Sequence, residues 1–101
     1  MLTVEFLFWR ECPSHPEALA LLRSVLVERD VDVPIRIVEV ESLDDAARYG
    51  FPGSPTIRID EQDVDPVSGA APPSLTCRLY RLPDGRPSPV PSREQIEEAL
   101  A

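Results

Sequence analysis

Trp9-Arg10-Glu11-Cys12-Pro13-Ser14-His15 closes an apolar run and opens what reads as a helix. Pro13 suits a first helical position, because its missing N–H would have had no partner there. Cys12 then falls at the positive end of the helix, where free N–H groups and aligned peptide dipoles favour an anion. A thiolate is such an anion, and a thiol whose pKa is lowered in this way reacts at neutral pH. The competing reading is a small buried cysteine closing the end of a strand.

Upstream, Leu2 to Trp9 holds almost only strand formers, with Leu2, Val4, Phe6 and Phe8 on one face and Leu7 and Trp9 on the other. Apolar residues on both faces predict a central strand covered from both sides. Downstream, Pro13 to Arg29 turns to helical spacing, with Ala18, Leu19, Leu22, Val25 and Leu26 forming one stripe. Pro34 ends it, and residues 35–40 read as a second strand, parallel to the first in a βαβ unit. Ser42 caps a short helix that Gly50 stops. Residues 56–59 are a third strand, residues 60–63 a turn, and residues 64–67 a short return strand confined to an edge by Pro66. Residues 68–74 read as loop, 75–82 as strand and 87–91 as extended linker. Ser92 and Gln95 have capping-box spacing at the start of a last helix.

The chain has 101 residues, which fits one domain, residues 1–101, built on a single core. Its ten basic residues are all arginine, against 18 acidic ones, a net charge of −8. That balance argues against nucleic acid or an anionic membrane surface as partner, and the lack of lysine excludes Schiff-base chemistry. No run approaches the ~20 apolar residues of a membrane span. Met1 to Glu5 lacks the basic start of a signal peptide. The expected location is therefore cytoplasmic, where a cysteine pair is more often catalytic or redox-sensing than structural.

The order β-α-β, short helix, Ser-Pro-Thr, hairpin, helix, with a cysteine at the first helix, resembles the thioredoxin-like superfamily. Two motifs carry the resemblance: Trp9-x-x-Cys12-Pro13-x-His15, where the family has Cys-x-x-Cys, and Gly53-Ser54-Pro55-Thr56, which is similar to its cis-proline loop. The resemblance implies a three-layer α/β/α sandwich around a mixed four- or five-stranded sheet. It also implies a cis Ser54–Pro55 bond, although an X–Pro bond taken alone favours trans. In that fold the backbone before the proline pairs with an extended thiol substrate, a role that would fall to Ser54.

His15 stands where the dithiol enzymes have their second cysteine, so Cys12 cannot cycle within the motif. The expected activity is thiol–disulfide oxidoreduction or a redox response on a protein or small-molecule thiol or disulfide, without a cofactor. Cys12 is the nucleophile, His15 a candidate partner for its thiolate, and Cys77 the candidate resolving thiol. Trp9, Pro13, Ser54, Pro55 and Thr56 are the expected substrate-binding residues. The alternative is a non-enzymatic binding module that uses the same groove for a peptide, a thiol or a soft metal ion. Cys12 and His15 alone are too few ligands for structural zinc. Residues 60–65 lack the glycine and distal glutamate of a calcium loop, and Ser14 lacks the setting of a hydrolase nucleophile.

Overall fold

The alternation in the first apolar run decides the architecture. In the computed structural model, which describes residues 2–101, β1 (Val4–Phe8) is one of the two inner strands of a four-stranded sheet. The sheet order is β2-β1-β3-β4, with β2 (Ile35–Glu39) parallel to β1 and both β3 (Thr56–Ile59) and β4 (Gln62–Asp63) antiparallel to their neighbours. Val4 and Phe6 belong to a cluster with Ala18, Leu22 and Val25 of α1 (His15–Glu28), Ile57 of β3 and Ile96 of α4 (Arg93–Leu100). Leu7, one residue out of phase and so on the other side of the strand, joins Val40, Phe51 and Ala46 of α2 (Leu43–Tyr49). Both faces of β1 are covered, as its composition predicts.

Local signals set most boundaries. The Ser42 hydroxyl accepts the Asp45 N–H at 3.1 Å, and Gly50 takes the left-handed conformation (φ 60°) that ends α2. Both bonds of the capping box form at Ser92 and Gln95. Asp60 and Glu61, with φ of 52° and 68°, make the tight turn between β3 and β4.

The structure departs from the sequence reading beyond residue 61. Gln62 and Asp63 are already strand, and residues 64–67 do not continue it. Asp63 Oδ1 accepts the Asp65 N–H at 2.8 Å, turning the chain, and Pro66 then opens the short helix α3 (Pro66–Gly69). Residues 75–82 are not one strand: β5 is only Tyr80–Arg81, paired with β6 (Pro87–Ser88) in a separate two-stranded sheet. Residues 87–91, read as linker, thus begin with a strand.

Residues 65–81 form a strap across the end of the sheet, held by polar contacts. The guanidinium of Arg78, buried, donates twice to Asp63 (2.7 and 3.1 Å), to Thr56 Oγ1 (3.2 Å) and to Ser68 Oγ (2.5 Å), and lies 4.0 Å from the Tyr80 ring centroid. The Asp65 carboxylate accepts the Ser68 hydroxyl and the Arg81 N–H. The fully buried Tyr80 donates its hydroxyl to the Pro55 carbonyl at 2.5 Å. Gly53 permits this path: a Cβ there would lie 2.8 Å from the Arg78 Cβ.

Candidate functional site

Cys12 follows β1 through a turn that its N–H closes on the Trp9 carbonyl at 3.0 Å. It stands before the helix rather than at its first turn, which corrects the reading of Pro13 as the first helical residue. Helix α1 opens at His15 with Ser14 as N-cap, and Pro16 takes the early helical position. The Ser14 side chain makes no capping bond. Its hydroxyl lies 3.1 Å from Cys12 Sγ instead. The thiol also donates to the Ser54 carbonyl at 3.4 Å, and the Ser54 hydroxyl accepts the Trp9 N–H at 3.0 Å. One loop end and one proline loop are thereby locked around a single sulfur.

Ser54 connects the two cysteines. The Ser54–Pro55 bond is cis, as the resemblance implies. Ser54 forms a parallel bridge with Cys77: its N–H donates to the Thr76 carbonyl (2.7 Å) and its carbonyl accepts the Arg78 N–H (3.0 Å). The backbone of Ser54, which the resemblance assigns to an external substrate, is thus engaged by the chain itself. Ser54, Pro55 and Thr56 are all buried, and the Thr56 hydroxyl is used within the fold, donating to the Gly53 carbonyl at 2.7 Å.

The two thiols differ in acidity and in access. Burial works to raise the pKa of Cys12, but the polar groups of Ser14 and Ser54 around the sulfur, with Cys77 nearby, outweigh it. The thiol ends below its ordinary 9.0. Cys77 moves the other way, raised by partial burial and by Cys12 beside it. Yet Cys12 is only 1% exposed, whereas Cys77 is open to solvent. The more acidic sulfur is the hidden one.

The remaining expected residues take separate places. The His15 ring lies against Phe8, centroids 4.6 Å apart, and is not among the hydrogen-bond partners of Cys12. The Trp9 side chain packs against the second core cluster and lines a hollow with Glu11, Glu39 and Glu41. Pro13 does reach Cys77: with Ser14, Glu17, Arg78, Leu79 and Pro89 they line a cleft of about 320 Å³. Arg78, whose charge the sequence places beside Cys77, turns its guanidinium inward to Asp63. Sequence reasoning missed Asp63, Ser68 and Arg78 as the clamp that holds Cys77. The available signal was the alternation of Arg78 and Tyr80 opposite the Asp63–Asp65 pair.

Among the described residues, no three His, Cys, Asp or Glu side chains converge as a metal site, and no helix is long and apolar enough to cross a membrane. No protein-family model matches the chain, and neither a curated protein nor a solved structure matches it.

Proposed function

We propose that this is a thiol–disulfide exchange protein with a thioredoxin-like sandwich, whose working pair is Cys12 and Cys77. The observation that carries the reading is the Ser54–Cys77 bridge, because the same Ser54 receives the thiol of Cys12 at 3.4 Å. The cysteines are 65 positions apart in sequence, and Ser54 brings both to one place. The element order, the sheet order β2-β1-β3-β4 and the cis-proline before β3 support the sandwich. The opposite pKa directions support the chemistry, since a pair with one acidic thiol exchanges readily.

In the oxidising direction, a small disulfide R–S–S–R accepts two electrons. One protein thiolate attacks it and releases R–S⁻. The second protein thiolate then attacks the mixed disulfide, forming Cys12–Cys77 and releasing a second R–S⁻. The two thiol protons pass to solvent or to the released thiolates.

Mild oxidation with diamide, followed by peptide mapping of the alkylated protein, tests the pairing. The expected product is monomeric, lighter by two hydrogens, and contains a Cys12–Cys77 peptide that is absent in Cys77→Ser. Two free thiols after treatment that fully oxidises dithiothreitol would overturn the reading.

A further inference from the structure

We infer that Cys77 is the sulfur through which the pair exchanges with its partner, and that the partner is a small neutral or cationic thiol seated in the cleft beside it. The inference rests on the Cys12–Cys77 pairing proposed above and adds its polarity and its substrate class.

Access separates the two sulfurs. Thiol–disulfide exchange requires the incoming thiolate to reach the sulfur it attacks. Cys12, 1% exposed, is enclosed by Ser14 and Ser54, while Cys77 is exposed and lines the cleft with Pro13 and Ser14. An incoming R–S⁻ therefore attacks Cys77 Sγ. The Cys12–Cys77 bond breaks, its electron pair leaves on Cys12 Sγ, and an R–S–S–Cys77 mixed disulfide remains. The departing thiolate meets the Ser14 hydroxyl 3.1 Å away. A low leaving-group pKa speeds this step, and Cys12 is the thiol whose pKa is lowered. A second R–S⁻ attacks the outer sulfur and releases R–S–S–R and the Cys77 thiolate. Two thiols have then been oxidised to one disulfide and the protein disulfide reduced to two thiols.

The cleft describes the partner. At about 320 Å³ it suits a small molecule rather than a protein surface. Pro13, Leu79 and Pro89 make its walls apolar, and Leu79 is 61% exposed, which leaves a hydrophobic contact unfilled. Glu17 and Arg78 are the charged residues that line it, and the Arg78 guanidinium, 3% exposed, is paired with Asp63 at 2.7 Å, which leaves Glu17 as the unpaired charge. With the net charge of −8 behind it, Glu17 disfavours an anionic thiol and favours an ammonium group.

Oxidised wild-type protein is mixed with cysteamine, quenched in acid within seconds, alkylated after unfolding and mapped. The expected adduct is cysteamine on Cys77, with Cys12 alkylated; cysteamine on Cys12 would overturn the inference while leaving the pairing intact. If diamide yields no Cys12–Cys77 bridge, the pairing itself fails. The reduced protein then decides polarity, by whether cystamine modifies Cys77 before Cys12. Specificity is read in Glu17→Arg, an exposed change that leaves both thiols in place. Wild type should prefer cysteamine over anionic glutathione. The variant should lose about tenfold of that preference, as expected when one reversed charge roughly 6 Å away acts in opposite senses on the two thiols and salt screening halves each effect. An unchanged preference would overturn the assigned substrate class.

Discussion

The body formed by β1, α1 and β3 and the strap that crosses it are held by opposite means. Phe6, Leu22, Val25 and Ile57 are fully buried among other apolar side chains, each contributing about 1.5–3 kcal/mol by leaving water. Such a core degrades gradually, because one lost methyl leaves the other contacts in place. The strap adds polar ties to the buried Tyr80, chief among them one buried guanidinium with four hydrogen bonds to Asp63, Thr56 and Ser68. A network of this kind is all or none: removing a member leaves the others desolvated and unpaired. Cys12 belongs to the body and Cys77 to the strap, so the thiol pair reports whether the two remain in register.

The widest separation between the regions is expected from Arg78→Met. Leaving Asp63 without its buried partner should cost about 3–5 kcal/mol in urea unfolding. A second change, Asp63→Leu, should recover part of that loss. A cost below about 1 kcal/mol would mean the strap is held as the body is. A milder cut is Tyr80→Phe, which removes only the hydroxyl that donates to the buried Pro55 carbonyl; about 1–3 kcal/mol should be lost. Ile57→Val in the body should cost about 0.5–1.5 kcal/mol and leave the yield of the Cys12–Cys77 bridge unchanged, whereas Tyr80→Phe should lower it.

Acid probes the strap through Asp65. Asp65 is partly desolvated, which works to raise its pKa, but the Arg81 N–H, the Ser68 hydroxyl and the Arg78 charge hold it below its ordinary 3.8. A carboxyl depressed on folding stabilises fully above its unfolded pKa and loses that contribution as the pH falls through its folded one. Stability should therefore decline below about pH 4, and the decline should be shallower in Asp65→Asn. The smallest effect belongs to Ser14→Ala. Loss of the hydroxyl 3.1 Å from Cys12 Sγ should raise the Cys12 pKa in an ultraviolet thiolate titration with little change in stability. A pKa that stays put would assign the lowering to Ser54, Cys77 and the Ser14 backbone.

What the sequence made legible follows the same division. Val4, Phe6 and Leu7, the stripe from Ala18 to Leu26, and the caps at Ser42, Gly50 and Ser92 are signals read within a few neighbouring residues, and the structure has them all. The strap was misread because its inward residues are polar. Hydropathy along Leu75, Cys77 and Leu79 suggests a strand, yet Arg78 and Tyr80 are the buried side chains and Leu79 points to solvent. Asp63, fifteen residues earlier, supplies the charge that lets an arginine turn inward. The start of α1 was misplaced for a related reason: Pro13 and Pro16 both suit a first turn, and Ser14 is drawn to the thiol rather than to the helix end. Cys12 and Cys77 were both legible as candidates; which of them faces solvent was not.

The bridge between Ser54 and Cys77 also sets a threshold for competitors. Any extended peptide that seeks the Ser54 N–H and carbonyl must first displace Thr76 and Arg78. Those residues are tethered, so they compete at an effective concentration of roughly millimolar or above, independent of how dilute the protein is. The apparent affinity of an outside strand is reduced by the small fraction of molecules in which the strap has lifted. A small thiol that approaches Cys77 from solvent meets no such competition. In the exchange proposed above, the strap thus favours small partners over extended ones before any chemistry begins.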